Sequence, residues 1–215
     1  MSSVLVLQNS PNETLGTLET LLRNDSYSIT TLCAWCDEIC DDNYDMLIIL
    51  GSPQNANDTL SYLREEIDLI RIYAKLKKPV LGICLGSQLA ARAFDSKVYR
   101  GKSLEFGYYD NLCPTPLGKN TLFSRFDDPF VAFHWHHDTF NLPIGAKLLV
   151  SSQTYPNQAF QLGSVVGLQF HLEADIPLVQ KWLDCNLEPD EKIFAEKLKS
   201  NMNSFYENFK SLLVK

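Results

Sequence analysis

Three residues, one of them far from the other two in the chain, have types and surroundings suited to nucleophilic catalysis: Cys84, His171 and Glu173. Cys84 stands in Gly82-Ile83-Cys84-Leu85-Gly86, between the apolar run Pro79-Val80-Leu81-Gly82 and the helix-like stretch Ser87 to Ala93. That pattern reads as a sharp strand-to-helix turn, a nucleophile elbow. Its flanking positions must lack bulk, and Gly82 and Gly86 meet that need. The N–H groups and dipole at a helix start favour an anion, as a thiolate nucleophile requires. Taken alone, the pattern fits a buried packing cysteine equally well, because free cysteine is among the most buried residue types. A second run, Val165-Val166-Gly167-Leu168-Gln169-Phe170, delivers His171 and, two residues on, Glu173. In an extended strand, residues two apart leave on the same face. A thiol, an imidazole and a carboxylate are together the parts of a nucleophile, a general base and an orienting acid.

Such a constellation needs a scaffold that brings strand ends together. Val4 to Gln8 reads as a first strand and Glu13 to Arg23 as a helix with Leu15, Leu18 and Leu22 on one face. Ser26 to Leu32 and Tyr44 to Leu50 read as further strands, the latter ending on Gly51-Ser52-Pro53. Asn57 to Lys77 is a long helix, with Leu60, Leu63, Ile67, Ile70 and Ala74 at helical spacing. Strands alternating with helices predict an α/β fold, a doubly wound and mostly parallel sheet with helices on both faces. Reactive residues gather at the carboxyl ends of such strands, where Gly51-Ser52 and Cys84 both fall. From Lys97 to Gln161 the pattern changes to short strand-like pieces broken by Pro114, Pro116, Pro129 and Pro143, read as small antiparallel additions. Ile176 to Leu187 and Asp190 to Leu213 read as closing helices, the last amphipathic through Ile193, Phe194, Leu198, Met202, Phe205 and Phe209. With no linker and no internal repeat, residues 1–215 are expected to form a single domain.

The text around these residues resembles the class I glutamine amidotransferases, and most of all their stand-alone, GMP-synthase-like members. Pro79 to Ala90 matches the family's nucleophile motif and Gly167 to Glu173 its histidine-acid motif. Ile49-Leu50-Gly51-Ser52-Pro53 resembles the oxyanion turn, and Trp135-His136-His137-Asp138 a substrate-side loop. The resemblance implies a flavodoxin-like fold and hydrolysis of the glutamine side-chain amide to glutamate and ammonia through a cysteine thioester. Cys84 would attack, His171 would move the proton, and Glu173 would fix the imidazole. Backbone N–H groups of Leu85 and of the Gly51-Ser52 turn would bind the oxyanion. Gln88 matches a glutamine-contacting position, and His136, His137 and Asp138 fall on the substrate side. Three departures stand out: His137 where the family usually has glycine, Leu172 in place of proline, and Ser52 in place of glycine. A γ-glutamyl peptidase using the same three residues is the alternative function, with His137 the feature that raises it. A binding module without catalysis is a third reading, disfavoured by the intact Cys84, His171 and Glu173.

Composition sets the outer bounds. The chain has 215 residues, 45% hydrophobic and 21% charged, ordinary for a globular α/β domain. Its formal charge of -7 and the lack of a basic stripe argue against a sequence-independent hold on nucleic acid. No apolar run approaches the length of a membrane span and no signal-peptide layout opens the chain, so a cytoplasmic location without membrane partners is expected. Of the six cysteines, Cys33, Cys36 and Cys40 cluster with metal-like spacing. No fourth ligand lies nearby in sequence, so no metal and no cofactor are expected. No nucleotide-activating motif appears, so any ammonia acceptor would be activated elsewhere, for instance on a synthetase subunit.

Overall fold

The computed structural model describes residues 2–39 and 43–212. Four strands carry the centre: β1 (Ser3–Gln8), β3 (Met46–Ile49), β4 (Val80–Ile83) and β9 (Val165–Leu168). All four residues of β3, β4 and β9 are buried, as are the four central residues of β1, because helices cover both faces of the sheet. Val4, Val6, Met46, Ile48, Leu81 and Val166 pack on one face, and Leu5, Leu7, Leu47, Ile49, Val80 and Val165 on the other. β2 (Ser28–Cys33) completes the parallel part. β8 (Ala159–Leu162), β7 (Lys147–Ser151), β5 (Val98–Pro114) and β6 (Phe130–Phe140) continue it antiparallel. The order across the sheet is β2-β1-β3-β4-β9-β8-β7-β5-β6.

The parallel half matches the expectation in kind, with shifted boundaries. The first helix is α1 (Thr17–Asn24), not Glu13 to Arg23. Gly16 sets its start: φ is +48°, and a Cβ there would stand 2.1 Å from the Glu173 carbonyl oxygen, which accepts from the Thr17 N–H instead. Residues 9–16 are therefore loop, and Glu13 is freed from helix. The long helix α2 (Ser61–Lys75) begins after Leu60, which is its half-exposed N-cap residue rather than part of the buried stripe. The elbow helix α3 (Leu85–Ala93) starts directly after Cys84.

The antiparallel part is larger than expected. β5 and β6 are long paired strands, and the prolines that seemed to break them lie at their ends: Pro114 closes β5, Pro116 opens the one-turn helix α4 (Pro116–Lys119), and Pro129 and Pro143 flank β6. Trp135-His136-His137-Asp138, expected as a loop, is strand. It lies inside β6, with Trp135 opposite Phe106 and His136 opposite Glu105. Of the closing helices, α5 (Ile176–Leu183) ends earlier than Leu187, at the left-handed Asp184. The last, α6 (Pro189–Phe209), buries Ala195, Leu198, Met202, Phe205, Tyr206 and Phe209, while Ile193 points out. Leu213 and Cys40 lie outside the described residues. No helix among those described is long and apolar enough to cross a membrane.

Candidate functional site

Cys84 follows β4 and precedes α3 with φ 51°, ψ -106°, a conformation that L side chains rarely adopt. The neighbours hold it there. A Cβ on Gly82 would stand 2.4 Å from the Gly86 carbonyl oxygen, and one on Gly86 would stand 2.2 Å from that of Ile49. The Cys84 carbonyl accepts from the Ser87 and Gln88 N–H groups, which leaves the Leu85 N–H as a terminal donor of the helix. Cys84 is nonetheless covered, at 6% exposed. The antiparallel strand β6 lies across it, with the Trp135 carbonyl oxygen 3.9 Å from Sγ, and Gln169 Nε2 lies 3.8 Å from the same sulfur.

His171 arrives beyond the end of β9 rather than on it. An isolated antiparallel bridge to Phe133 of β6, with N–H···O distances of 2.9 and 3.2 Å, fixes its backbone. Its Nδ1 lies 2.6 Å from Glu173 Oε1, and both side chains are buried. Burial would lower the imidazole's pKa, but the Glu173 carboxylate and a hydrogen bond with Cys84 outweigh it and hold His171 well above its ordinary value. Trp182 stacks edge-on against the imidazole at 5.0 Å between ring centroids.

Gly51 borders all of this: a Cβ on it would lie 3.4 Å from Cys84 Cβ and 3.2 Å from His171 Cε1. Next to it, the Ser52 hydroxyl donates to the Asn9 carbonyl at 3.1 Å and also contacts Gln54. Gln88, one turn into α3, is buried and donates to Gln169 Oε1 at 3.2 Å and to the Asp138 carbonyl at 3.4 Å. Asp138 Oδ2 accepts from Asn55 Nδ2 at 2.5 Å. His136 has partners for both ring nitrogens, Glu105 Oε2 at 3.0 Å and the Asp138 carbonyl oxygen at 3.1 Å. His137 has no left-handed backbone, so a side chain costs no strain where the family has glycine.

Several residues of this neighbourhood carried no functional reading in the sequence. Glu105 accepts from His134 and Gln158 as well as His136. Burial raises its pKa, but these hydrogen bonds win and hold it well below the usual carboxylate range. The same three residues, Glu105, His134 and His136, bring their ligand atoms within 4.8 Å of one another, as do Cys33, Cys36 and Asp37. Glu13 is the other surprise: its Oε2 would lie 3.2 Å from a Cβ on Gly51, the same point that Cys84 and His171 approach. Burial raises its pKa to about 7, with His171 opposing and Glu173 adding. Its place at the carboxyl end of β1 was the available signal.

Two cavities meet at Cys84 and share Ser52, Pro53 and Trp135. One, of about 310 Å³, is bordered by Leu85, Gln88, Arg100, His136, His137 and Asp138. The other, of about 200 Å³, holds His171, Glu13, Asn12, Ser10 and Trp182.

The family model for glutamine amidotransferase class I matches residues 14–179. The chain belongs to the class I glutamine amidotransferase family. A glutamine amidotransferase-like protein of Salmonella typhimurium is 32% identical over 145 residues, which cover 65% of this chain and 61% of that relative. One subunit of the glutamine-hydrolysing GMP synthase from Thermococcus kodakarensis is 35% identical, over 49% of this chain and 56% of its own. The Arabidopsis thaliana γ-glutamyl peptidase 5 is 29% identical, over 76% and 68%. A crystal structure of a glutamine amidotransferase from Thermotoga maritima superposes with a TM-score of 0.86 at 29% identity, covering 100% of this chain and 99% of that one. This class I amidotransferase therefore carries its family's α/β sheet, not closed into a barrel.

Proposed function

We propose that the chain hydrolyses γ-glutamyl amides, with glutamine as the simplest substrate, through a thioester on Cys84. The observation that carries this is the convergence of three side chains: one point beside Gly51 lies 3.4 Å from Cys84 Cβ and 3.2 Å from His171 Cε1, and His171 Nδ1 lies 2.6 Å from Glu173 Oε1. In this reading the Cys84 proton rests on His171, and the thiolate attacks the amide carbon beside the imidazolium. The Leu85 N–H and the backbone of Gly51 and Ser52 receive the oxyanion. His171 then protonates the departing nitrogen, and water attacks the thioester with His171 again taking a proton. Glu173 keeps the imidazole oriented and supports its charged form. Gln88, His137 and Asp138 border the acyl side, and His136 acts from behind, holding the Asp138 backbone.

Residues 1–215 act as one cytoplasmic domain in this proposal, and ammonia passes to an acceptor on another protein. The likeness to a GMP synthase component supports placing that acceptor on a separate synthetase subunit. The likeness to a γ-glutamyl peptidase, together with the second cavity at Cys84, favours a reading in which the leaving group is larger than ammonia.

Cys84→Ala tests the thioester. Glutamate release is expected to vanish, while the melting temperature stays near that of the wild type because a buried sulfur is replaced by a smaller apolar group. Substantial turnover in the variant would end the proposal.

A further inference from the structure

The two cavities at Cys84 divide the chemistry between them. A departing nitrogen must take its proton from His171, so it leaves on the side that His171 borders. That side is the cavity of about 200 Å³, while Gln88 and Leu85 border the other. Ammonia is about the size of water and needs roughly 30 Å³. The space on the leaving side is several times larger, and its walls are the wrong chemistry for ammonia alone: Trp135, Trp182 and Pro53 offer apolar surface. Trp182 is fixed there by its Nε1–H, which donates to the Asn12 carbonyl at 2.9 Å and ties down the loop that carries Glu13.

We propose that this cavity is a leaving-group subsite for a primary alkyl amine, so that the substrates are γ-glutamyl amides of amines, and that Glu13 receives a cationic group on the amine's far end. The proposal rests on the thioester reading and names its substrate class. In the first half-reaction the Cys84 Sγ–carbonyl bond forms, the amide C–N bond breaks, and the amine leaves with the proton carried by His171. Water then breaks the thioester, giving glutamate and the free thiol, so no co-reactant other than water enters.

The charge of the subsite selects among amines. Glu13 contributes a carboxyl group that burial makes ionise at about pH 7; His171, also on the wall, is paired with Glu173, and no Lys or Arg borders the cavity among the described residues. Lys181, the cation nearby on α5, is bound outside it to the Pro11 carbonyl at 3.1 Å. An amino acid as leaving group would bring its own carboxylate against Glu13, whereas an ammonium on an alkyl stem would meet opposite charge and lay its stem along the apolar surface of Trp135 and Trp182.

Four compounds decide the matter: glutamine, γ-glutamyl pentylamide, the γ-glutamyl monoamide of 1,5-diaminopentane, and γ-glutamylglycine. With wild-type protein, kcat/KM is expected to be highest for the aminopentyl amide, at least tenfold above glutamine, and lowest for γ-glutamylglycine. Glu13→Gln is expected to reduce the ratio of aminopentyl to pentyl amide at least fivefold. Calorimetric binding of the same compounds to Cys84→Ala should give the same order without turnover. If glutamine outranks both alkyl amides, the cavity passes only water and ammonia and the subsite is overturned. A preference for γ-glutamylglycine would overturn it in favour of a peptidase. Should wild type release glutamate from none of the four, the thioester reading fails, and the binding order with Cys84→Ala still decides the subsite.

Discussion

Gly82 and Gly86 approach so closely that a methyl group on the first would sit 2.4 Å from the carbonyl oxygen of the second. Gly86 in turn leaves no room between itself and the Ile49 carbonyl. The two glycines thus let α3 rest on β3 and β4, and this contact is what holds Cys84 at its positive φ. Gly82→Ala is expected to destabilise the protein by about 1–3 kcal/mol, the usual range for overpacking a full site. It should also slow alkylation of Cys84 by an electrophilic glutamine analogue. Melting together with peptide-mapped labelling checks both, and a variant that melts and labels like wild type would contradict the argument.

Burial is the largest influence on His171, and Glu173→Gln removes the carboxylate that, together with Cys84, overcomes it. With only the Cys84 contact left to oppose burial, the imidazole's pKa falls. The catalytic imidazolium then loses its proton at lower pH, so the alkaline limb of the kcat/KM profile moves down in pH. By analogy with acid-to-amide changes in related triads, kcat should fall by about two to four orders of magnitude. A pH–rate profile measures both effects, and an unmoved alkaline limb would show that Glu173 does not set the charge of His171.

The placement of these residues was partly legible in the sequence for a physical reason: the strand-to-helix turn at Cys84, the Gly51-Ser52 turn and the His171–Glu173 pair are local signals, each contained within a few residues. Cys84, Gly51, His171 and Glu173 could be named because strand ends in an α/β sheet converge. Glu13, Trp182, Glu105 and Gln169 could not be placed, because their roles depend on loop paths and cross-strand register. Helical spacing of Leu15, Leu18 and Leu22 drew Glu13 into a helix that the close contact of Gly16 with Glu173 forbids. Prolines in 97–161 suggested broken strands, yet Pro114 and Pro116 sit at the end of β5 and the start of α4, and Pro129, Pro143 and Pro156 lie outside the strands, where a missing N–H does no harm. Burial of Cys84 was one of two readings its local pattern allowed, and what covers it is β6, with Trp135 lying 51 residues downstream.

Behind the Gly51-Ser52 turn, Glu66 of α2 is fully buried and accepts from Asn9 Nδ2 at 3.3 Å, while the Asn9 carbonyl receives the Ser52 hydroxyl. Burial raises Glu66 from 4.5 to about 8, the Asn9 hydrogen bond opposing only weakly. The folded state therefore keeps a proton that the unfolded chain releases near pH 4.5. The stability this group contributes is full below about 4.5 and is lost as pH rises through about 8. Glu66→Gln should flatten that dependence: relative to the variant, wild type loses up to about 1.4 kcal/mol per pH unit across the window. Denaturant melts from pH 4.5 to 8.5 test it, and parallel curves would place the titration elsewhere.

His137 stands where the family usually has glycine, and its position decides what the replacement can do. It borders the cavity that also holds Gln88 and Asp138, not the one that holds His171, so in the proposed reaction it would face the acyl part of the substrate. Its Nδ1 is buried without a hydrogen-bond partner in the structure, which is a standing cost that a bound polar group on the acyl side would relieve. Removing the ring widens the acyl pocket and leaves the leaving-group side untouched. His137→Gly is therefore expected to change KM for glutamine and for γ-glutamyl pentylamide by the same factor, within about twofold, with their kcat/KM ratio preserved. An unequal change would mean that the leaving group reaches His137. The direction of the common change is itself informative: a fall in KM marks a ring that merely narrows the pocket, and a rise of about tenfold or more marks one that hydrogen-bonds the glutamyl end.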